Sequence, residues 1–304
     1  MKRYFAIIML IGVVTLAQGQ SVPFLNFFSD ARTAAMGNAG FAVASPFAVN
    51  RNMAAILLND AYSTEIGASY LSWQPQVTNS TLINAAGYTQ YGNAGFAAGI
   101  RYNTLDAIET TDEQGNVIGS FSPSEYAMEV GFGYRINPAI ALGASLRYIS
   151  SDLGGEKKAS AIAADISALY NSKNLSAGVG FSNVGSKIDY GNSEYALPAR
   201  IQSGIACRLL DKEEHSVLGV VDAAYQLSSE NKGLLGGIGA EYTYKNLASL
   251  RTGYHFEDES VGASYATVGC GVHLSGFSVN FAYILASNNN PMNQSMIISL
   301  QWGK

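Results

Sequence analysis

Fourteen stretches of this sequence alternate apolar residues with small or polar ones over about 10–13 positions each. They cover roughly 61–73, 80–90, 93–104, 125–136, 139–150, 158–170, 174–184, 198–209, 215–227, 233–244, 247–256, 263–274, 277–286 and 293–303. A period of two places every second side chain on one face of an extended strand. Phe277, Val279, Phe281, Tyr283 and Leu285 share one face, with Ser278, Asn280 and Ala282 on the other. Tyr126, Met128, Val130, Phe132 and Tyr134 repeat the pattern, as do Ile140, Leu142, Ala144, Leu146 and Tyr148. So do Phe96, Ala98, Ile100 and Tyr102, and at the end of the chain Met296, Ile298, Leu300 and Trp302. Globular strands average about 5–6 residues. A tilted strand needs about 9–11 to cross a bilayer.

The connections alternate as well. Short turns (Tyr91-Gly92, Asn137-Pro138, Lys245-Asn246, Ser275-Gly276) take turns with longer polar loops such as Leu105 to Ser124 and Gly185 to Leu197. An even strand count with short turns at one end and long loops at the other describes a bacterial outer-membrane barrel. Lipid offers the backbone no hydrogen-bond partner, so a sheet there must close on itself. A soluble β-sandwich is the competing fold, with the apolar face as its core. Two features weigh against it. Only 13% of the 304 residues are charged, against about 25% in soluble domains. The less apolar face is rich in Gly, Ala and Ser, and its charges (Arg101, Glu129, Arg135, Arg147, Asp165, Asp222, Glu241, Arg251) carry both signs, as a crowded interior with paired charges would. The fold class expected is therefore all-β: a transmembrane antiparallel β-barrel of about 14 strands with a short N-terminal plug segment. Tyr70, Trp73, Tyr88, Tyr102, Tyr148, Tyr170, Tyr225, Tyr244, Tyr254 and Trp302 are expected to form interfacial girdles.

Lys2 and Arg3, the apolar run Tyr4 to Leu16 and the small-x-small Ala17-Gln18-Gly19 read as a cleaved leader over 1–19. Residues 20–60 do not alternate. They are Ala- and Gly-rich around Asp30 to Gly40 and helix-like around Asn50-Arg51-Asn52. Two readings stand: a plug inside the lumen of the 61–304 barrel, or a periplasmic tail.

No catalytic constellation is legible. His215, His255 and His273 show no metal-ligand spacing. The Gly-x-Gly triplets at Gly131, Gly237 and Gly269 lie inside strands and open no helix, so they are not phosphate cradles. The acidic run Glu257-Asp258-Glu259 lacks EF-hand spacing. The expectation is no enzyme, no cofactor and no metal. A net charge of −5 argues against nucleic acid. Cys207 and Cys270 fall in the lipid-facing phase of strands too far apart to cross-link, which predicts two free thiols.

Asp30-Ala31-Arg32 through Met36-Gly37-Asn38-Ala39-Gly40 resembles the opening signature of the PorV/PorQ family of outer-membrane proteins, which is related to FadL-type barrels. Ser69-Tyr70-Leu71-Ser72-Trp73 resembles its first-strand motif, and Asp112 to Asn116 with Gly119 to Pro123 its third-to-fourth strand loop. Leu146 to Leu153, Ala164 to Tyr170, Phe181-Ser182-Asn183-Val184-Gly185 and Leu197-Pro198 resemble the mid-barrel pattern, closer to PorV than to PorQ. The family's Asn-Pro-Ala stands here as Asn52-Met53-Ala54, and the loops are shorter than is typical. The resemblance implies a role in type IX secretion in Bacteroidota. Its partners would be the large translocon barrel, secreted cargo carrying a C-terminal β-sandwich signal, and outer-membrane lipid. Extracellular contacts are expected from Trp73, Pro75, Asp112, Phe121, Pro123, Tyr190, Pro198 and Pro291, and family-signature or plug roles from Asp30, Arg32, Met36, Gly37, Gly40 and Asn52. The alternative is a FadL-like transporter of hydrophobic solutes, which the small, mixed-charge lumen face disfavours. A diffusion porin is the third reading, and a plug argues against it.

Overall fold

A computed structural model describes residues 21–58, 61–112, 114–154, 158–191, 193–228 and 232–304. The leader reading lies outside them. Eighteen strands occur among the described residues: β1 (Thr64–Trp73), β2 (Ser80–Tyr91), β3 (Ala94–Thr104), β4 (Ile108–Thr111), β5 (Val117–Phe121), β6 (Ser124–Asn137), β7 (Ile140–Asp152), β8 (Ala159–Asn171), β9 (Leu175–Gly185), β10 (Ile188–Asp189), β11 (Glu194–Tyr195), β12 (Arg200–Asp211), β13 (His215–Gln226), β14 (Gly233–Tyr244), β15 (Ala248–Glu257), β16 (Tyr265–Leu274), β17 (Phe277–Leu285) and β18 (Met296–Gly303). Fourteen of them close into one antiparallel barrel, in the order β1-β18-β17-β16-β15-β14-β13-β12-β9-β8-β7-β6-β3-β2. The pairs β4–β5 and β10–β11 are small hairpins within two of the long loops. Closure runs through β1 and β18, from Glu65 opposite Gly303 to Ser72 opposite Met296, and leaves the barrel no open edge.

The alternation fixes which face meets lipid. Ile66, Ile83, Met128, Leu146, Ile205, Val272 and Leu300 are exposed on the outer wall, while their chain neighbours turn inward. Two aromatics depart from the expected girdle. Tyr88 sits in the inward phase, buried, and its hydroxyl donates to Glu65 Oε2 at 2.7 Å. Trp73 also faces inward, its ring stacked on Phe27 at 4.1 Å between centroids. Nearness to a strand end does not decide the face; the parity of the position does. Cys207 and Cys270 are free, on β12 and β16 with three strands between them. Mass analysis of the unreduced protein after alkylation in denaturant is expected to show both thiols modified. A species with neither modified would contradict this strand order.

A bulge breaks the alternation of β9. The β8–β9 register shifts between Ala164 and Ile166, and Asn183 takes a left-handed backbone with φ 57°. Asparagine tolerates that region better than most residues. This bulge turns both Ser182 and Asn183 inward, where each is buried.

Residues 21–58 lie within the ring. Short 3₁₀ turns (Pro23–Asn26, Ala48–Asn50, Met53–Leu58) and one helical turn, α1 (Ala31–Ala34), make up their regular structure. Phe24, Phe28, Met36, Phe41, Phe47, Ile56 and Leu57 are all fully buried. Each such side chain contributes about 1.5–3 kcal/mol on leaving water, so apolar burial dominates what holds the segment in place. Its first half packs with Leu71, Leu82, Ile149, Ile188 and Ile297 toward the long-loop end. Its second half packs with Tyr88, Leu169, Ala206 and Val220 toward the short-turn end.

Candidate functional site

The lumen is divided. Residues 21–58 form a septum between a vestibule of about 1450 Å³ at the long-loop end and one of about 1310 Å³ at the short-turn end. Wall glycines make the close docking possible. Gly239 and Gly253 lie against the backbone of Met36 and Gly37, and a Cβ at Gly239 would come within 2.5 Å of the Met36 Cβ. Gly131 and Gly143 likewise face Met53 and Ala54. Of the strand-borne Gly-x-Gly triplets, Gly131, Gly133, Gly237, Gly239 and Gly269 face the septum.

Specific bonds align it. Asp30 caps α1, accepting from Thr33 N at 2.9 Å and Thr33 Oγ1 at 2.9 Å. Arg32 reaches the wall in a two-pronged bond, Nε to Glu241 Oε2 at 2.8 Å and Nη2 to Oε1 at 2.6 Å. Glu241 lies opposite Arg251 in the β14–β15 register, and Arg251 Nε donates to the same carboxylate at 2.6 Å. Gly37 has φ +71°, a region that a side chain rarely adopts; its N–H donates to Thr267 Oγ1 at 2.9 Å. The Gly40 and Phe41 amides both donate to Asp222 Oδ2 at 2.8 Å. Asn52 Nδ2 donates to the Phe41 carbonyl at 2.7 Å, and its Oδ1 accepts from Ala54 N at 3.0 Å. The six signature residues thus gather on one device, the septum and its seat. The Met36 side chain, fully buried, takes part through packing.

A charge network crosses the barrel at mid-height. Glu129 lies opposite Arg147 in the β6–β7 register. Its Oε1 accepts from Arg147 Nε at 2.6 Å and from Arg101 Nη2 at 2.7 Å. Its Oε2 accepts from the septum residue Asn50. Arg147 continues to Asp165 Oδ2 at 3.0 Å and to the Asn183 side chain in the bulge. Six of the eight inward charges pair as their sequence pattern predicted (Arg101, Glu129, Arg147, Asp165, Glu241 and Arg251), whereas Arg135 donates to the Leu57 carbonyl and Asp222 accepts the Gly40 and Phe41 amides. Arg32 stands in the signature already named, but nothing in the sequence pairs it with Glu241, or Asn50 with Glu129.

The outer vestibule departs from expectation. Phe27, Trp73, Tyr190, Tyr195, Leu105, Leu153, Tyr265 and Met292 line it, a more apolar space than the small, mixed-charge lumen face predicted. Those side chains come from the septum, the strand ends and the loops, so the alternation of the wall does not encode them.

The predicted contact residues scatter. Trp73 and Pro291 line the vestibule. So does Tyr190, whose hydroxyl donates to Ser151 Oγ at 2.9 Å; burial pushes that phenol up from its usual range. Pro123 and Pro198 are buried at strand entries, and Pro198 supplies a carbonyl to Asn183 Nδ2 at 3.2 Å. Asp112 orders the β4–β5 turn. It accepts from Asn116 Nδ2 at 3.0 Å and from the Asn116 and Gln114 amides at 2.8 and 3.0 Å, bonds that hold its carboxyl below the usual range. Phe121 ends the same hairpin with its ring against Gly154. Pro75 lies in the β1–β2 loop, half-buried. Among the described residues no three His, Cys, Asp or Glu side chains gather as a metal site requires.

A family model described as type IX secretion system protein PorV matches residues 14–224. The chain belongs to the PorV family. The match spans the septum and the wall through most of β13, including the whole Glu129 network. Solved structures share the barrel of this PorV-family chain at low identity. The Ralstonia pickettii toluene transporter TbuX has 16% identity and a TM-score of 0.64, over 92% of this chain and 99% of that one. The P. putida toluene transporter TodX has 13% identity and a TM-score of 0.64, over 90% and 98%. A Pseudomonas aeruginosa FadL homologue has 10% identity and a TM-score of 0.58, over 90% and 98%. At these identities the likeness is one of fold. No curated protein matches the sequence.

Proposed function

We propose that this outer-membrane barrel serves type IX secretion as an interaction protein, docking beside the large translocon barrel and holding secreted cargo by its C-terminal β-sandwich signal. The family match over residues 14–224 carries the reading. Two structural features support it. A lumen crossed by a packed septum favours work done at surfaces over work done by diffusion. The β4–β5 hairpin leaves Ile108, Val117 and Ile118 more than half exposed, and its polar Asp112 turn holds it in shape. Exposed apolar side chains beyond the lipid band mark interaction sites.

The test is gentle purification from native outer membranes with identification of what comes along. A large barrel and secreted proteins are expected with the native chain, and Ile118→Asp is expected to lower their yield several-fold. Recovery of lipid or fatty acid alone would end the secretion reading. It would favour the second one, transport of hydrophobic solutes, which the apolar outer vestibule of about 1450 Å³ supports.

A further inference from the structure

A polar row crosses the inner wall at the level of the outer vestibule. Ser80 on β2, Asn103 on β3, Glu125 on β6 and Ser151 on β7 are inward positions, with Asn103 opposite Glu125 and Glu125 opposite Ser151 in the register. Hydrogen bonds run along the row. Ser80 Oγ donates to Asn103 Oδ1 at 2.7 Å, Asn103 Nδ2 to Glu125 Oε2 at 3.1 Å, and Ser151 Oγ to Glu125 Oε1 at 3.1 Å. Glu125 is only 3% exposed. Its partners among the described residues are neutral, unlike those of Glu129 and Glu241, each of which holds two guanidiniums. A carboxylate withdrawn from water without a cation is costly. Each of its oxygens accepts one bond and has a lone pair left for another.

Aromatic rings stand at both ends of the row. Trp73 lies opposite Ser80 in the β1–β2 register and stacks on Phe27 at 4.1 Å. Tyr190 donates its hydroxyl to Ser151 Oγ at 2.9 Å and meets Tyr195 edge to face, with centroids 6.1 Å apart. These four rings and Glu125 line the same space of about 1450 Å³. The other charges on that lining have opposite numbers or polar partners nearby. Glu257 meets His255 Nε2 at 2.9 Å, Glu194 faces Lys187 at 3.7 Å, and Arg200 shares the small space beneath with Asp222. Glu125 is the charge left without one.

We propose that the outer vestibule binds an organic ammonium: a small monocation with an apolar body, its charge beside Glu125 and its body against the Trp73–Phe27 and Tyr190–Tyr195 rings. Aromatic faces attract cations, tryptophan best of all, and a neighbouring carboxylate adds a charge-assisted bond. Water satisfies the spare lone pairs of Glu125 but neutralises nothing and leaves the rings wet. A bare metal ion neutralises the charge but covers no ring. An organic anion meets three carboxylates (Glu125, Glu194, Glu257) against one guanidinium, Arg200. Binding at this place requires neither a translocon nor passage through the septum, so it stands or falls apart from the secretion reading.

The test uses the full chain in a non-ionic detergent and three probes that share one body: phenethylammonium, phenethyl alcohol and hydrocinnamate. Calorimetry at neutral pH gives their affinities. The chain has two tryptophans, so Trp73 fluorescence in a Trp302→Phe background reports occupancy of this space. The ammonium is expected to bind about tenfold tighter than the alcohol, and the carboxylate more weakly than both. Glu125→Gln is expected to erase that preference while keeping the affinity for the alcohol, which also shows the variant to be folded. Glu194→Gln, a change on an exposed carboxylate, is expected to leave the preference intact. If Glu125→Gln fails to fold, Trp73→Leu supplies the second arm and is expected to weaken the ammonium more than the alcohol. Equal affinities for ammonium and alcohol in the native chain, tightest binding of the carboxylate, no binding of any probe, or a preference that survives Glu125→Gln would each overturn the proposal.

Discussion

Glu129→Ala is expected to destabilise the barrel by about 3–5 kcal/mol, the usual cost of removing one partner from a buried ion pair. The side chains of Arg101 and Glu129 are 1% and 0% exposed. Arg147, on the other side of the same carboxylate, is 2% exposed. Truncation leaves two desolvated guanidiniums facing each other, with Asp165 alone to balance them, and frees Asn50 of the septum. Urea unfolding in lipid vesicles, read by heat-modifiable gel mobility, measures the loss. Glu129→Gln keeps the shape without the charge and is expected to recover part of it. The exposed pair Lys245–Glu214, 3.1 Å apart with side chains 50% and 53% exposed, is the contrast. Glu214→Ala there should leave the midpoint unchanged, because water screens exposed pairs. Equal midpoints for Glu129→Ala and the native chain would show that the network is hydrated and that mid-barrel charge pairing does not hold the fold.

That network also shows how far the sequence could be read. Fourteen alternating segments locate fourteen barrel strands, because lipid on one side and a packed lumen on the other enforce strict parity. Parity also sends Glu129, Arg147 and Asp165 inward, and their opposite signs announce pairing. Their actual partners depend on register, which places Glu129 opposite Arg147 and which no periodicity encodes. Trp73 and Tyr88 went astray for a related reason: aromatics suit interfaces and packed interiors alike, so residue type cannot override position. The septum was hardest. Its segment has no period, and its fit rests on paired absences, such as Gly239 and Gly253 where Met36 and Gly37 arrive. Arg32 and Glu241 bond across 209 positions of chain. The motif from Asp30 to Gly40 could be recognised as a signature, but its physical meaning exists only once β13 to β16 have assembled around it.

Glu241→Ala tests whether that seat governs passage. The native barrel is expected to be electrically silent in a planar bilayer, since the septum separates the two vestibules. Glu241 holds Arg32 by two charge-assisted bonds and orients Arg251 as well. With the Arg32 side chain 30% exposed, losing these contacts weakens the seat by about 2 kcal/mol, within the range for hydrogen bonds to charged groups. A shift of that size raises the unseated population roughly thirtyfold, which a bilayer records as brief openings. The apolar anchors Phe24, Phe28, Phe41 and Phe47 remain, so the openings should be short-lived. Removing residues 21–58 withdraws those anchors too and is expected to give steady conductance. Gly253→Val provides an independent route, because a side chain there collides with the Met36–Gly37 backbone; it should mimic Glu241→Ala without touching a charge. Silence from all three variants, each shown to be folded, would mean that loops outside the septum close the lumen. Steps from the native chain would mean that the segment packs in the barrel without sealing it, and the diffusion-porin reading would return.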